Sequence, residues 1–161
     1  CIKEGEIIFS CRGDMGRSLI YCESVDNVIT NIDSVHISFR GQELYKTIFI
    51  SQFLGYLRYN QYIQDISITG SGADSFTKYH FELLMVPNFA EPIQKEIATL
   101  YHNPAEYDAS DCAIESFLEY DSEYNSKAGI YELDKTAKHL KELLDDAIDK
   151  IVKSQEVKIK F

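Results

Sequence analysis

Seven polar or aromatic side chains surround a glycine-rich segment, Gly70-Ser71-Gly72, near the middle of the chain. Hydroxyl groups and a lysine amine can donate hydrogen bonds to phosphate oxygens, while aromatic and imidazole rings can stack on bases or reach their edges. The cluster has two interpretations, a contact surface for nucleic acid or an ordinary solvated loop, and the solvated loop is the commoner case. Its members are Thr69, Ser71, Ser75, Thr77, Lys78, Tyr79 and His80.

A second segment with distinctive chemistry is Gly13-Asp14-Met15-Gly16-Arg17. A phosphate-binding P-loop would need Gly-Lys-Ser/Thr at the start of a helix, whereas an apolar, strand-like segment follows here at residues 18–21. Two glycines within four residues favour a tight turn, because glycine readily adopts positive φ. We therefore predict a hairpin turn, with Arg12 and Arg17 on either side of it.

The sequence offers no constellation for catalysis or metal binding. Its four histidines have no HxxxH or HExxH spacing, its four cysteines have no CxxC spacing, and it contains no GxSxG elbow. We expect a non-catalytic protein with no cofactor and no bound metal. Disulfides stay open as an alternative, but a reduced, cytoplasmic protein is the simpler interpretation of the cysteines.

No apolar run approaches the roughly 20 residues that a membrane-spanning helix needs, so we expect no membrane partner. The first residues, CIKEGEIIFSC, lack the basic head and apolar core of a signal peptide. They also lack an initiator methionine, and from this we expect the chain to be a fragment of a longer protein.

The formal net charge of −10 argues against binding to DNA, since proteins that bind phosphates usually have a basic face. The acidity is uneven. Residues 1–104 contain eight Lys/Arg and twelve Asp/Glu, a balance of −4, and residues 105–161 contain eight and fourteen, a balance of −6. A local basic patch in the first part is compatible with this distribution.

Residues 1–104 are predicted to form an α+β domain, with a mixed β-sheet and packed helices. Strand patterns occur at residues 6–10, 18–21, 35–39 and 79–86, and residues 44–66 have a helical period with a broad apolar face. A further helix begins at Glu91-Pro92 and ends at Asn103-Pro104. Its predicted buried stripe consists of Ile93, Ile97 and Leu100.

Residues 105–161 are predicted to be helical, with one helix over residues 113–124 and a long helix over residues 133–152 after an interruption at Gly129. The final VKIKF alternates apolar and basic residues, which predicts a short terminal strand. The long helix carries an apolar stripe that must bury against the core or against a partner helix. The stripe consists of Leu133, Ala137, Leu140, Leu144, Ile148 and Ile151.

The order of these motifs resembles the target recognition domain of type I restriction-modification specificity subunits. In that family a Gly-Asp-Ile-like strand start, a Gly-x-x-Gly-Arg-like turn and an Asn-containing segment follow one another. A helix with aromatic spacing, a Thr-Gly-Ser segment, a Val-Pro strand end and a Gln-x-x-Ile helix start come next. The matching segments here are Gly5-Glu6-Ile7 (Glu where Asp is usual), residues 13–17, Ile29-Thr30-Asn31, residues 53–64, Thr69-Gly70-Ser71, Val86-Pro87 and Gln94-Lys95-Glu96-Ile97.

The resemblance covers residues 3–104 and implies a protein that reads double-stranded DNA and does no chemistry itself. Its loops would enter the major groove, with Arg12 and Arg17 contacting the backbone or bases and with Ser71, Lys78, Tyr79 and His80 reading base edges. The family's long helix would be supplied here by residues 133–152. It would dock onto a methyltransferase subunit of the same system, and a restriction subunit is a second candidate partner.

Two other functions stay open on the sequence. One is a protein-interaction module that uses the acidic C-terminal helices and does not read DNA. The other is an enzyme whose site is assembled across subunits, which ranks last because no nucleophile, metal set or cofactor loop is present. The same recognition module also occurs fused to methyltransferases, so the parent could be a larger enzyme.

Overall fold

The computed structural model describes residues 2–23, 30–39, 41, 43–67, 75–105 and 116–157, apart from the Phe117 side chain. Gly70-Ser71-Gly72, Thr69, residues 113–115 and residues 158–161 of the predicted terminal strand lie outside the described residues. The chain divides into two compact units, Cys1–Ala98 and Thr99–Phe161. The predicted α+β class is confirmed, with three strands and six helices in the described ranges.

The first unit is built on a three-stranded sheet of order β2-β1-β3. Both described pairings are antiparallel, whereas a mixed sheet was predicted. Ile7 pairs with Ile20 on one side and with Ile37 on the other, so these three side chains share one face. On that face Ile7, Phe9 and Ile20 are fully buried. The strands are β1 Ile7–Ser10, β2 Ser18–Ile20 and β3 Ser34–Ile37, which confirms three of the predicted strands.

The single helix predicted over residues 44–66 is two helices, α1 Leu44–Tyr59 and α2 Tyr62–Ser67. Gln61, between them, has a left-handed φ of +62°. The Asn60 side chain donates a hydrogen bond to the Tyr56 carbonyl at 2.9 Å, and the Gln61 N–H donates to the Arg58 carbonyl at 3.0 Å. These bonds satisfy the last carbonyls of α1 and end it. The apolar period runs on across the break, so periodicity does not reveal it.

One core cluster joins the sheet to the helices of the first unit. It is formed by the buried side chains of Phe9, Cys11, Met15, Leu54, Leu57, Ile63 and Phe76. Helix α1 also lies against β2, where the Ser18 hydroxyl donates a hydrogen bond to the Ser51 carbonyl at 3.2 Å. The core therefore draws on the hairpin, on both halves of the broken helix and on the residue that leads into the next helix.

The strand predicted over residues 79–86 was wrong. A short helix, α3 Lys78–Leu83, occupies most of this range, and the residues after it are neither helix nor strand. The aromatic residues that suggested a strand pack on the core instead, since the Phe81 ring lies 4.9 Å from the Phe9 ring. A capping arrangement at Thr77 starts the helix and decides the local structure.

Helix α4 Glu91–Tyr101 begins and ends close to where the sequence predicts, but its predicted buried stripe was wrong in part. Ile93 is exposed and Leu100 is 72% exposed, whereas Ala98 is buried. The helix meets α1 through polar groups, with the Lys95 amine 5.0 Å from the centre of the Tyr45 ring. Glu91, Lys95 and Ala98 lie on one face of the helix. The predicted stripe begins at Ile93, two residues after Glu91, so it lies about 200° around the helix from that face.

Burial raises the pKa of Tyr45 to about 12, and the carboxylates of Glu43 and Glu91 act in the same direction. The phenol therefore stays protonated at neutral pH. Glu91 in turn lies 2.7 Å from the Lys95 amine, and this contact lowers the pKa of Glu91. The start of α4 is thus fixed to α1 by a charged and aromatic cluster. The contact between the two helices therefore does not use the predicted apolar stripe of α4.

The second unit contains α5 Phe117–Lys127 and α6 Ile130–Val152, so the predicted long helix is confirmed and begins three residues earlier than expected. A Cβ at Gly129, between the helices, would lie 2.6 Å from the Asn103 nitrogen and 2.6 Å from the Tyr101 carbonyl oxygen. Glu132 accepts a hydrogen bond from the Asn103 N–H at 3.0 Å, and its other oxygen lies 2.5 Å from His102 Nδ1. This close approach, which only glycine permits, fixes the end of α4 to the start of α6.

We predict that Gly16→Ala destabilises the protein by about 2 to 4 kcal/mol, because a left-handed conformation and overpacking act together. Gly16 has a φ of +85°, and its added Cβ would lie 3.0 Å from Ile63 Cγ2 and 3.2 Å from Arg58 Cγ. Gly13→Ala is the matched control, since Gly13 has a φ of +66° with no atom within 4 Å. Its cost should be about 1 kcal/mol in urea denaturation. Equal losses for the two variants would contradict the packing argument.

Candidate nucleic-acid interface

The predicted hairpin turn between β1 and β2 is confirmed, and it is anchored from the core side. The Gly16 N–H donates a hydrogen bond to the Ser10 carbonyl at 2.9 Å, and the Ser10 N–H donates to the Arg17 carbonyl at 2.9 Å. The Met15 side chain is buried in the core cluster. Arg12 and Arg17 therefore flank a turn that is anchored in the core, and most of each arginine side chain is exposed.

An ion pair fixes the turn to helix α1. Arg58, in the last turn of α1, places Nη2 2.5 Å from Asp14 Oδ1. A charge-assisted hydrogen bond is directional, so it fixes where Asp14 lies relative to α1. The two residues are 44 positions apart, and no local pattern in the sequence signals their contact. Arg58 is thus a positioning residue that sequence reasoning missed.

The turn is also joined to helix α3. The Phe76 N–H donates a hydrogen bond to the Cys11 carbonyl at 2.9 Å. The rings of Phe9, Phe76 and Phe81 contact one another, with centres 4.8 to 5.0 Å apart. Cys11 directly precedes Arg12 and Phe76 leads into α3, so the two exposed segments start from the same point of the core.

Helix α3 begins with a capping arrangement between Thr77 and His80. The Thr77 N–H donates to His80 Nδ1 at 2.9 Å, and the Thr77 hydroxyl lies 3.0 Å from the same nitrogen. His80 is only 6% exposed, and its ring centre lies 5.2 Å from that of Phe76. His80, predicted to read base edges, is therefore placed as a buried cap of α3.

The other predicted readout residues differ in their placement. Lys78 and Tyr79 lie in the first turn of α3, with side chains that are 91% and 64% exposed, respectively. Ser71 lies outside the described residues. Of the predicted group, the structure thus brings Arg12, Arg17, Lys78 and Tyr79 to the surface of the first unit on two segments that share one anchor.

Each cation of this surface has a carboxylate nearby. Arg12 Nη1 lies 3.9 Å from Asp33, Arg17 Nη1 lies 3.7 Å from Asp14, and Lys78 Nζ lies 3.8 Å from Glu82. These separations exceed hydrogen-bond length, and the groups are exposed. Exposed pairs of this kind contribute roughly 0 to 1 kcal/mol, so another anion can replace the carboxylate at little cost.

A shallow cavity of 380 Å³ lies between strand β3 and α3, and sequence reasoning did not foresee it. Next to it, His36 Nε2 lies 2.8 Å from Glu6 Oε2. Burial raises the pKa of Glu6, but hydrogen bonds from the Lys3 N–H and from His36 more than offset this, so the pKa lies below its usual value. The cavity is lined by Val35, His36, Ile37, Ser38, Lys78 and Phe81.

The predicted apolar stripe lies along α6, and most of it is exposed within the described residues. Leu144 is 58% exposed and Ile151 is 64% exposed, while Leu133 is half-buried. The buried positions of α6 lie elsewhere, at Glu132 and Ala147. The remaining stripe residues, all exposed, are Ala137, Leu140 and Ile148.

The described part of the chain offers neither a cluster of metal ligands nor a membrane-spanning helix. No group of three or more His, Cys, Asp or Glu side chains there is placed to hold a metal ion. None of the described helices combines the length and the apolar character that crossing a membrane demands.

Comparison of the chain with protein-family models, with curated proteins and with solved structures found no match. The resemblance to specificity subunits is therefore supported by the sequence motifs and not by these comparisons.

We predict that Thr77→Ala lowers the free energy of unfolding by about 1 kcal/mol, because α3 loses its capping hydroxyl and the Nδ1 of His80 loses a partner. Ser126→Ala in α5 is the control. Its hydroxyl donates a hydrogen bond to the Glu123 carbonyl of the same helix at 2.8 Å, and alanine is a good helix former. Urea denaturation of both variants measures the difference, and an unchanged Thr77→Ala protein would show that the cap is not needed.

Proposed function

We propose that the chain reads a DNA target sequence as a specificity subunit, or a recognition domain, of a restriction-modification methyltransferase complex. The observation that carries this proposal is the attachment of the hairpin turn and the start of α3 to one aromatic cluster. Base edges are discriminated by geometry, so the side chains that read them must be held in a fixed relation to one another. The order of the sequence motifs is the reason for proposing this family.

The exposed residues divide by chemistry. Arg12 and Arg17 can donate paired hydrogen bonds to phosphate or to guanine, and Lys78 supplies a point charge for a phosphate. Tyr79 offers a ring for contact with a base or sugar and a hydroxyl for hydrogen bonding. His80 contributes by holding the first turn of α3 in place. Ser71, which lies outside the described residues, stays a predicted readout residue.

The acidity of the chain does not prevent this function. DNA affinity depends on the cations at the contact surface, and exposed charges farther away than about 8 Å are largely screened at physiological salt. The balance of −4 over residues 1–104 is smaller than the −6 over the shorter remainder. The proposed reader is thus one with weak electrostatic attraction to DNA in general, whose affinity comes mainly from base contacts and increases when a partner also binds DNA.

The partner in this proposal is a methyltransferase subunit of the same system, which would bind the methyl donor. A helix of 23 residues with an exposed apolar stripe is a suitable docking element for it. The chain itself would bind neither S-adenosylmethionine nor ATP.

The same stripe favours a second candidate function, a protein-interaction module without DNA reading. Apolar surface is exposed to solvent at Leu140, Leu144 and Ile151, and large exposed apolar patches mark interaction sites. The two candidates differ in salt dependence. Binding to DNA weakens steeply as salt rises, whereas burial of an apolar stripe does not.

We predict that the full chain, incubated with a pool of random-sequence duplexes at two salt concentrations, enriches a short motif. The double variant Arg17→Ala/Lys78→Ala should bind that motif at least about tenfold more weakly at moderate salt. It should also show a salt slope of log K lower by as much as about 1.8, because two phosphate contacts are lost.

Lys138→Ala/Lys141→Ala is the matched control for this experiment. Like the first double variant, it removes two positive charges, here from exposed lysines of α6 that pair with Asp134 and Asp145. Equal weakening by the two double variants would mean that only net charge matters. Absence of an enriched motif at either salt concentration would refute the proposed DNA reading.

A separate prediction concerns the stripe. Leu140→Ser/Leu144→Ser should weaken binding to the methyltransferase subunit about tenfold or more, because two apolar contacts are lost at an interface. Both side chains are about half exposed, so the fold should be retained, as circular dichroism would check. Lys138→Ser/Lys141→Ser on the same helix is the control. Unchanged affinity of the leucine variant would exclude the stripe as the docking surface.

A further inference from the structure

The ion pairs of the described residues differ in length between the candidate interface and the helices away from it. The cations of the interface, Arg12, Arg17 and Lys78, lie 3.7 to 3.9 Å from their carboxylates. Lysines elsewhere on helices form contacts within hydrogen-bond distance, for example 2.7 Å for Lys95–Glu91 and 2.5 Å for Lys138–Asp134. The long separations are thus found at the positions proposed to contact DNA.

A long, exposed pair has a particular consequence for binding. The carboxylate lowers the electrostatic potential at the cation, but without a hydrogen bond it does not fix the side chain in one rotamer. A phosphate can replace it, and the carboxylate then stands near the phosphate and repels it. Each such carboxylate therefore weakens every phosphate contact, whatever the base sequence.

From this pattern we propose that Asp33, Asp14 and Glu82 are specificity-determining residues that suppress non-specific binding to DNA. The inference rests on the proposed DNA-reading function and explains how that function is kept specific. Specificity is the difference between two affinities, and it increases when the sequence-independent one is reduced. Base contacts formed only with the target sequence then decide whether the protein stays bound.

Asp14 has a second role that separates it from the other two. It also contacts Arg58 at 2.5 Å and so helps to hold the hairpin turn against α1. Neutralising it would move the turn as well as change the charge. The test therefore uses Asp33 and Glu82, whose carboxylates pair with Arg12 and Lys78.

The experiment compares the wild-type full chain with Asp33→Asn/Glu82→Gln. Affinity is measured by fluorescence anisotropy for the duplex enriched from the random pool and for a duplex of unrelated sequence. The unrelated duplex should bind about 1.5- to 5-fold more tightly per neutralised carboxylate, which is the range for exposed pairs. The ratio of specific to non-specific affinity should fall, and the salt slope for the unrelated duplex should become steeper.

Asp134→Asn/Glu123→Gln is the matched control, since it also removes two negative charges from exposed pairs with lysines, here in the second unit. The same increase for both double variants would assign the effect to net charge and overturn the inference. A rise confined to the enriched duplex, or no change at all, would also overturn it. Glu82→Gln alone, on the exposed face of α3, provides a second variant if the double variant is unstable in thermal unfolding.

Failure of the inference is distinguishable from failure of the proposed function. If wild-type chain enriches a motif but the variants bind unrelated DNA no better, DNA reading stands and the inference is wrong. If the wild-type chain and both variants enrich no motif, the proposed function fails, and the inference fails with it.

Discussion

The candidate interface depends on the packing of Phe76 against Phe9. Two contacts operate there, the ring contact at 5.0 Å and the hydrogen bond from the Phe76 N–H to the Cys11 carbonyl at 2.9 Å. A buried phenylalanine ring typically contributes about 3 to 5 kcal/mol, which is a large part of the stability of a small domain. The same contacts set the distance between the hairpin turn and α3, so stability and the geometry of the surface have one source.

The elements with a clear period were predictable from the sequence. The first two strands are short apolar runs, the third alternates apolar and polar residues, and the long C-terminal helix repeats apolar residues every three to four positions. Two glycines mark the hairpin turn between β1 and β2. The misassigned range, residues 79–86, has aromatic residues that suit a strand, but a cap between Thr77 and His80 determines its structure. Thr-x-x-His is a weak signal, because histidine is an unusual partner in a capping box.

The arrangement of the candidate site was less predictable than its members. Arg12, Arg17, Lys78 and Tyr79 are surface residues, as their types suggest, but the burial of His80 follows from contacts with Phe76 that no spacing rule reveals. Long-range contacts are the general reason for such failures. An apolar stripe, such as Ile93 and Leu100 in α4, likewise predicts that these side chains need a packing partner. It does not predict whether the same unit of the chain provides that partner.

An acidic DNA reader has a physical advantage as well as a cost. Non-specific binding to DNA comes almost entirely from phosphate contacts, and a genome offers a very large excess of wrong sites. A chain with a net charge of −10 and loosely paired interface cations gives up much of that non-specific affinity. Base contacts then make up a larger share of the binding free energy, and a partner held by α6 can supply the affinity that the reader lacks. The acidity that first argues against DNA is in this way consistent with a recognition subunit that selects its target by base contacts and gains affinity within a complex.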